Sequence, residues 1–424
     1  MPGTIEVPTG EASVKEAGNQ GKRVTSGQAE TEVALLTGGY DPPYAYGLAM
    51  ALSSMGVRVD LIGGDGVDFP EFHTSLNIRF LNLRGNQRSN AGLQEKVFRV
   101  LRYYARLIRY AAGANPQVFH MLWNNKFEIF DRTLLLLYYK LLGKKIVLTA
   151  HNVNAGRRDS RDTMLNRVSL AVQYRLADHI FLHTEKMKRE LLEGFCPSEG
   201  KVSVIPFGIN NSLKTTDLTR FEARTKLGIG DGEKAILFYG TIAPYKGLDS
   251  LVDVFLQNAA RWPDCRLIVA GRPKAGCEHY LRKIQRAISA NKYGSRILES
   301  IRYIPDEETE LYFKAADVTV LPYREVSQSG VLFLSYSFGL PVIACDVGCL
   351  SEDIVEGVTG FLAQPGDHAS LAEAIAKYFR SDLYMDLDSR RQDIIDFANA
   401  RHSWDVVGQR TCEVYLDLLR HQRS

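Results

Sequence analysis

Small residues after one apolar run of the sequence could bind a phosphate group. The run Val318–Leu321 predicts a buried strand, and the loop after it contains Ser327, Ser329 and Gly330 before a helix begins at about Val331. Backbone N–H groups at the start of a helix have no partner within the helix, and with the helix dipole behind them they bind anions. Similar connections serve as plain turns in many α/β proteins, so this stretch alone fits a phosphate site and a plain turn equally well.

Polar and aromatic side chains follow two predicted strands in the amino-terminal half. His120 closes one of these strands, Trp123 and Asn124 lie in the loop after it, and His151 and Asn152 follow the other. The carboxyl ends of parallel strands form the ligand-binding edge of a doubly wound sheet, so we expect these side chains to converge on one cleft. A histidine there can act as an acid or a base, although a single histidine after a strand is more often structural.

Two glycines follow the first predicted strand, at residues 31–37. Gly38 and Gly39 allow the backbone to approach a ligand at the end of this strand, although a tight turn alone would also use them. A helix at about 44–55 and a strand at 57–62 come next. Strand, glycine turn, helix and strand are typical of the opening of a doubly wound α/β domain.

The segment from Arg79 to Arg109 is strongly basic, and its only acidic residue is Glu95. Its cations are Arg79, Arg84, Arg88, Lys96, Arg99, Arg102, Arg106 and Arg109. The last four recur at helical spacing within a predicted helix at 93–112, so they share one face, with tyrosines between them. Such a helix is typical of contact with an anionic membrane or a phosphorylated lipid, and a solvated face or an RNA contact are the other interpretations.

The composition limits the classes of protein that fit. The 424 residues, 45% apolar and 24% charged, suffice for two globular domains, and a net charge of +3 gives no argument for nucleic acid. The six cysteines show no metal-ligand spacing, and we interpret them as free thiols in a reducing cytoplasm. Because we find neither a bilayer-spanning apolar run nor a signal peptide, we expect a cytoplasmic protein, peripheral on the inner membrane face if the basic helix binds lipid.

Motifs in a fixed order fill the carboxyl-terminal half of the sequence. They are Ala315-Ala316-Asp317, Gly339-x-Pro341-Val342-Ile343-Ala344, Asp346-x-Gly348, Glu352, Gly360 and Pro365-Gly366-Asp367. Together they resemble the signature of the family-4, or group-1, retaining glycosyltransferases. The resemblance begins at about Val33 and is densest in the carboxyl-terminal half. It implies the GT-B fold, in which two doubly wound, Rossmann-like α/β domains face each other across a cleft.

The resemblance also implies a division into domains. After a tail at 1–30, whose polar composition predicts disorder, we expect an acceptor-side domain at 31–207 and a nucleotide-sugar-binding domain at 208–396. A final helix at 397–424 would cross back to the first domain. Residues 206–210 match the hinge that joins the two domains of the family.

The implied donor site belongs mainly to the second of these domains. Lys246 closes a loop that resembles the family's Gly-Arg-x-x-x-x-Lys-Gly motif, and a lysine there offsets the charge that grows on a departing diphosphate. Thr241 replaces the arginine, so Arg272 or Lys274 is expected to compensate, with Arg324 as a further option. The expected donor-binding residues are Gly38, Gly39, Thr241, Lys246, Arg272, Lys274, Ser327, Ser329, Gly330 and Val331, with the backbone of Tyr303 and Ile304, in a predicted short strand at 302–305, against the base.

Three positions depart from the family's pattern. Leu334 stands where a ribose-binding glutamate is usual, and Val326 replaces the glutamate before it, with Glu325 alongside as a group that could reach sugar hydroxyls. Leu122 replaces the second histidine of a His-x-His element. The candidate catalytic residues are therefore His151, His120, Lys246 and Glu325. Of the two histidines, His151 is favoured.

The implied reaction is transfer of a sugar, with retention, from a UDP- or GDP-linked donor to an acceptor hydroxyl. Trp123, Asn124, Asn152 and Arg157 are the expected acceptor-side residues, and lipid-linked and polysaccharide acceptors are both open. We expect neither a metal ion nor a nucleic acid partner. The departures leave two alternatives, a non-catalytic subunit that binds a nucleotide-sugar and a sugar phosphorylase or epimerase of the same fold.

Overall fold

The computed structural model describes residues 31–39, 41–87, 92–158, 162–209, 216–326 and 328–420. The predicted tail at 1–30, Arg88 and Ser327 lie outside these ranges, and so does the side chain of Arg157. Within the described ranges, every helix is too short or too polar to cross a bilayer.

The amino-terminal half forms a sheet of seven strands. They are β1 (Glu32–Leu36), β2 (Arg58–Gly63), β3 (Ile78–Asn82), β4 (Val118–Met121), β5 (Lys145–Thr149), β6 (His179–Leu182) and β7 (Val202–Val204). Their order in the sheet is β3-β2-β1-β4-β5-β6-β7, and every neighbouring pair is parallel. The order reverses between β1 and β4, so a crevice opens beyond the carboxyl ends of these two strands.

The carboxyl-terminal half repeats this plan with six strands. They are β8 (Lys234–Tyr239), β9 (Cys265–Ala270), β10 (Ile297–Ser300), β11 (Val318–Leu321), β12 (Val342–Cys345) and β13 (Gly360–Ala363). The order is β10-β9-β8-β11-β12-β13, again with parallel neighbours, and it reverses between β8 and β11. The prediction of two doubly wound α/β units is confirmed.

Helices cover both faces of each sheet. Those of the first half are α1 (Pro42–Ser54), α2 (Pro70–Thr74), α3 (Leu93–Gly113), α4 (Glu128–Phe130), α5 (Leu136–Leu141), α6 (Ala155–Arg158), α7 (Met164–Leu176) and α8 (Glu185–Phe195), and a π-helical turn at Asp131–Leu135 joins α4 to α5. Those that follow are α9 (Arg220–Leu227), α10 (Leu248–Asn258), α11 (Glu278–Ser289), α12 (Asp306–Ala315), α13 (Gly330–Ser337), α14 (Leu350–Asp353), α15 (His368–Tyr378), α16 (Asp382–Met385), α17 (Leu387–His402) and α18 (Trp404–Arg420).

The strands are apolar at successive positions because both faces of each sheet are buried. In β1, Val33 and Leu35 belong to the hydrophobic core on one face, whereas Ala34 and Leu36 belong to the core on the other. Side chains alternate between the faces of a strand, so a strand with helices on both sides needs an unbroken apolar run. This pattern made the strands recognisable in the sequence.

A buried carboxylate fixes the start of β11 in the second sheet. Asp317 is fully buried, and its Oδ2 accepts a hydrogen bond of 2.7 Å from the backbone N–H of Ala235 in β8. Its Oδ1 pairs with the guanidinium groups of Arg220 and Arg224, and Arg224 is itself 1% exposed. A buried charge is tolerated only when it is paired and hydrogen-bonded in this way.

The last helix packs against the first. α18 lies along α1, and a Cβ added to Gly47 of α1 would come within 2.0 Å of the Trp404 ring. A Cβ on Gly208 would meet the same ring at 2.5 Å. Glycine at both positions therefore makes room for Trp404 between α1 and the segment that follows β7.

Candidate active site

Lys246 lies in the loop that follows β8, and its side chain reaches the loop that follows β11. It ends a short helical turn, Pro244–Lys246, and its Nζ is 3.8 Å from the centroid of the Tyr323 ring. Gly247 has φ of 67°, and a Cβ there would lie 1.9 Å from the carbonyl oxygen of Pro322, so only glycine fits this approach of the two loops. Within the described residues Lys246 forms no ion pair, which leaves its charge available to a ligand.

The amino-terminal end of α13 lies at the same edge of the second sheet, where the strand order reverses between β8 and β11. We call this edge the switch region. The helix begins at Gly330, close to the predicted start, and its N-cap Ser329 makes no capping hydrogen bond to the helix. Ser329 is 2% exposed, whereas Gly330 is exposed to solvent. Among the residues that the structure describes, no side chain caps the first N–H groups of α13, so these groups can bind an anion.

The loop after β9 supplies further positive charge. Gly271 has φ of 151°, and a Cβ there would lie 1.8 Å from the carbonyl oxygen of Gly240, so the loops after β8 and β9 touch. Arg272 lies 5.0 Å from the centroid of the Tyr303 ring, and Lys274 lies 5.7 Å from that of Tyr245. Thr241 is exposed beside them.

Arg324, the third cation considered as a replacement for the family's arginine, is already engaged. Its Nη2 lies 2.7 Å from Oδ2 of Asp249, and its Nη1 donates to the carbonyl oxygen of Pro244 at 2.9 Å. These contacts brace the turn that carries Lys246. The geometry therefore favours Arg272 over Arg324 as a ligand for a bound anion.

Four of the side chains predicted to converge at the first sheet do so. Trp123, Asn124, His151 and Asn152 contribute to one cavity of about 290 Å3, which we call the Trp123 cavity. The rings of Trp123 and His151 are stacked, with centroids 4.2 Å apart and planes at 3°. Asn124 exchanges side-chain hydrogen bonds with Gln173 of α7, so its orientation is fixed.

His151 has one ring nitrogen engaged and one unpartnered. Its Nδ1 lies 3.0 Å from Nε2 of His183, whereas its Nε2 is buried and has no hydrogen-bond partner among the described residues. Burial, with His183 alongside, holds the pKa of His151 well below its usual value. The ring is therefore neutral near pH 7, with an unsatisfied nitrogen beside the Trp123 cavity.

His120 lies in a different environment. It is fully buried, its Nδ1 lies 2.6 Å from the Tyr415 hydroxyl, and its Nε2 lies 2.7 Å from Oγ1 of Thr149. Burial lowers the pKa of His120 to about 3. Because both ring nitrogens are engaged and His120 does not line the Trp123 cavity, this geometry favours a structural role in holding α18 to the sheet.

One cavity is lined by residues of both sheets and their helices. This two-sheet cavity, of about 220 Å3, has Tyr44 and Trp404 on one side and Tyr239, Gly330 and Leu334 on the other. Tyr44 also packs edge-on against His151, with ring centroids 4.7 Å apart. Tyr44 therefore connects the exposed start of α13 to the Trp123 cavity.

Comparisons with known proteins agree with this arrangement. A family model described as glycosyl transferases group 1 matches residues 233–381, and a model described as glycosyltransferase family 4 matches residues 43–213. The chain belongs to the group 1 glycosyltransferases. Together the two models cover more than half of the chain and include Lys246, Gly330, Trp123 and His151.

Curated relatives match this chain over part of their length. The D-inositol 3-phosphate glycosyltransferase of Geodermatophilus obscurus is 29% identical over 244 residues, which is 56% of this chain and 51% of that protein. The protein of the same name from Nocardia farcinica is 29% identical over 211 residues, 47% of this chain and 44% of that protein. The chain thus spans about half the length of these relatives.

Solved structures show that the fold is GT-B. Sucrose-phosphate synthase from Thermosynechococcus elongatus superposes with a TM-score of 0.73 at 18% identity and covers 92% of this chain and 100% of that one. HepE from Anabaena, in complex with UDP and glucose, gives 0.70 at 17% identity with the same coverage. The glycosyltransferase WaaG, involved in lipopolysaccharide biosynthesis, gives 0.62 at 14% identity and covers 91% of this chain and 99% of that one.

The two positions of the glutamate pattern line different cavities. Leu334 faces the two-sheet cavity, where the Tyr239 hydroxyl lies 2.8 Å from Oγ1 of Thr309. Glu325 instead lines a separate cavity of about 320 Å3 together with Asn152. The two positions therefore do not converge on one group.

One sequence prediction in this region is wrong. Residues 302–305 form a loop, and the strand β10 lies earlier, at Ile297–Ser300. Arg302 pairs with Glu308 of α12, and Pro305 is the N-cap of that helix, so the segment leads into α12 instead of extending the sheet. Ile304 is buried in this loop, and Tyr303 is 59% exposed.

Sequence reasoning missed three residues at the site. Tyr44 and Trp404 enclose the two-sheet cavity, and Arg84 lies against Gly39, where an added Cβ would approach the guanidinium within 2.2 Å. Tyr44 follows two prolines, and Pro42 begins α1, whose N-cap Asp41 accepts a hydrogen bond from the Tyr44 N–H. The start of a helix directly after the glycine turn was the signal in the sequence that could have indicated Tyr44.

Proposed function

We propose that this chain is a retaining glycosyltransferase that moves a sugar from a nucleotide-sugar to an acceptor hydroxyl. The observation that carries the proposal is the two-sheet cavity, where the exposed start of α13 at Gly330 faces Tyr44 of the first half and Trp404 of α18. Lys246 lies in the same switch region as Gly330, and the Trp123 cavity lies beyond Tyr44. A donor bound on one side would thus meet an acceptor on the other.

The chemistry that these groups can perform is stabilisation of a leaving diphosphate. A uridine or guanosine diphosphate gains negative charge as the bond to the sugar breaks, and Lys246, Arg272 and the first N–H groups of α13 oppose that charge. HepE, a structural neighbour, was solved with UDP-glucose, which supports a nucleotide-sugar as the donor. We propose that these fixed groups act without a metal ion.

Turnover of a nucleotide-sugar tests the proposal. Incubation with UDP- and GDP-sugars should release the nucleoside diphosphate without added inorganic phosphate. Lys246→Ala should reduce this rate by about 100-fold, as expected when a group that stabilises a developing charge is removed. Lys283→Gln, at an exposed position on α11, is the matched control and should keep the wild-type rate. A rate that depends on inorganic phosphate would favour a phosphorylase, and binding without turnover would favour a non-catalytic subunit.

We also propose that the first half contacts an anionic membrane, as a lipid-linked acceptor would require. The outer face of α3 exposes Val97, Phe98, Leu101 and Ile108, each between 38% and 60% exposed. The exposed residues Arg102, Arg106 and Arg109 lie beside these apolar side chains around the helix. An apolar strip flanked by cations is the pattern of a helix that lies in the membrane interface.

A second helical segment extends this apolar strip. Ile129, Leu134, Leu137 and Leu141, on α4, α5 and the turn between them, are 45% to 79% exposed, and the Tyr138 hydroxyl donates to the carbonyl oxygen of Ile108, which ties α5 to α3. Contiguous apolar surfaces of this kind mark interaction sites. The flanking cations favour an anionic bilayer over a protein partner, because protein interfaces are depleted in charge at their centre.

Vesicle sedimentation tests the membrane contact. Vesicles of phosphatidylcholine and phosphatidylglycerol at 3:1 should retain the protein, whereas pure phosphatidylcholine should retain much less. Phe98→Ser with Leu101→Ser should weaken retention at least about tenfold, because each side chain is worth about 1.5 kcal/mol or more when buried. Leu76→Ser with Met385→Ser removes two side chains that are exposed elsewhere and should have no effect. Equal retention of both variants would overturn the proposal.

A further inference from the structure

A small basic cavity lies beside the Trp123 cavity and is not used by the chemistry above. It is enclosed by the loop after β3, the first turns of α3 and the loop after β4, and its volume is about 50 Å3. A water molecule needs about 10–15 Å3 on this measure, so the cavity has room for a group of a few atoms. That size suits a phosphate group and excludes a sugar ring.

The charge of the cavity is one-sided. Four of the side chains that line it are cations, Arg84, Lys96, Arg99 and Lys126, and none of its lining residues within the described ranges is acidic. Within the described residues neither Lys96 nor Lys126 forms an ion pair. Arg99 donates to the carbonyl oxygen of Asn86 at 2.9 Å and lies 3.9 Å from Oε1 of Glu95.

Arg84, which lines the cavity, carries a buried donor, Nη1, without a hydrogen-bond acceptor among the described residues. The guanidinium is held between Gly39 and the Tyr103 ring, 5.7 Å from the ring centroid, so it cannot swing freely into solvent. A buried donor of a charged group without an acceptor is destabilising, and an anion bound to it would relieve that cost.

A buried acid lies behind the cavity. Asp131, in the π-helical turn, is fully buried, and its Oδ2 accepts the N–H of Asn125, which lines the cavity. Burial raises the pKa of Asp131 to about 6, so the carboxyl is mostly ionised at pH 7. Asp131 does not itself line the cavity, and the four cations that do line it outnumber this carboxylate.

The basic cavity adjoins the Trp123 cavity through one stretch of chain. Asn124 lines the Trp123 cavity, and the next two residues, Asn125 and Lys126, line the basic cavity. We propose that the basic cavity binds a phosphate group carried by the acceptor, while the acceptor's reacting part lies in the Trp123 cavity. This inference rests on the proposed function for its acceptor, whereas the anion site itself does not.

Binding of inorganic phosphate to the full chain tests the site. Phosphate is titrated at constant ionic strength with UDP at saturation, so that the donor site is filled, and thermal stabilisation follows its affinity by mass action. Lys96→Gln with Lys126→Gln should weaken phosphate binding at least about tenfold and leave the UDP response unchanged. Lys226→Gln with Lys283→Gln, two exposed lysines of the second half, removes the same charge and should bind phosphate as the wild type does.

The outcomes separate this inference from the proposed function. Equal phosphate binding by all three proteins, or no phosphate binding by the wild type, overturns the basic cavity as an anion site. If UDP stabilises none of them while phosphate distinguishes the variants, the donor site is wrong and the anion site stands. Loss of both responses in the Lys96/Lys126 variant alone would mean that the substitutions disturb the fold. Arg84→Lys, which keeps the charge but loses the forked pair of donors, then decides the question. Weaker phosphate binding with normal UDP binding by Arg84→Lys supports the site, and unchanged phosphate binding overturns it.

Two further binding experiments distinguish a water-soluble phosphorylated acceptor from a lipid headgroup as the source of the phosphate. Soluble sn-glycerol 3-phosphate that binds the wild type and not the Lys96/Lys126 variant assigns the cavity to a water-soluble phosphorylated acceptor. Retention on phosphatidylglycerol vesicles that is lost in the same variant, with Phe98 and Leu101 intact, assigns it to a lipid headgroup. If neither arm distinguishes the variant from the wild type, the cavity does not bind an acceptor phosphate.

Discussion

Lowering the pH from 7 to 5 should destabilise this protein by several kcal/mol, because its fold buries neutral imidazoles. Burial lowers the pKa of His120 to about 3 and the pKa values of His179 and His183 to about 4, below the ordinary value of 6.5. In the unfolded chain each ring takes up a proton near pH 6.5. Stability is therefore present above that pH and is lost as the pH falls, since the unfolded state binds the extra protons.

The size of the effect follows from these pKa values. Between pH 6.5 and pH 5 each of the three imidazoles costs about 2 kcal/mol, at about 1.4 kcal/mol per pH unit. Asp131 acts in the opposite direction, because its raised pKa of about 6 lets the folded protein take up a proton first, a gain of about 1.4 kcal/mol at pH 5. His402 and Asp353, 3.6 Å apart, have a lowered and a raised pKa respectively, and their contributions nearly cancel.

The expected net loss is at least about 5 kcal/mol, because His151, whose pKa is also lowered by burial, adds to it. This is a large part of the stability of an ordinary domain. Urea unfolding followed by circular dichroism at pH 7 and pH 5, at one ionic strength, measures it directly. His120→Asn should remove about 2 kcal/mol of the pH dependence while lowering stability at pH 7, since the Tyr415 and Thr149 hydroxyls lose a partner. A difference between the two pH values below about 1 kcal/mol would refute the interpretation that these rings are buried and neutral.

Two substitutions test other parts of the structure. Asp317→Asn should lower the free energy of unfolding by about 3–5 kcal/mol, because it leaves the buried Arg224 guanidinium without its charge partner, and a loss below about 1 kcal/mol in chemical denaturation would contradict this. His151→Asn should lower sugar transfer about 100-fold without changing the circular dichroism spectrum, as expected for a lost acid or base, whereas His120→Asn should retain transfer in its folded fraction. The opposite ranking of the two variants would reverse the assignment of the histidines.

The strands and their loops could be predicted because they depend on local pattern. Runs such as Val33–Leu36 are apolar at every position, as a strand buried on both faces requires. The positions of Gly38, Trp123 and Lys246 after such strands then placed them at the ligand-binding edge without further information. The exposed start of α13 at Gly330 was predicted on the same basis.

Contacts between residues far apart in the chain could not be predicted. His120 and His151 both follow apolar strands, and only the contact of His120 with Tyr415, 295 residues away, separates their environments. Trp404 reaches the site because Gly47 and Gly208 leave room for its ring. No local pattern in the sequence contains such information.

The apolar strip of α3 shows a limit of another kind. The sequence revealed the basic face of this helix, but Phe98 and Leu101 could equally have belonged to its buried side. Their exposure depends on where Tyr103 and Leu107 pack, which is set by the core on one face of the first sheet. The interpretation as an interfacial helix therefore needed the structure.

Binding of UDP and UMP to the wild type and to Lys246→Ala tests the central claim most directly. If Lys246 and the start of α13 hold the departing diphosphate, calorimetry should show that the substitution weakens UDP at least about tenfold and UMP much less, since a charge-assisted contact to the β-phosphate is lost. Lys283→Gln should change neither affinity. Equal loss of both nucleotides, no loss of either, or a wild type that binds neither UDP nor GDP would contradict the account.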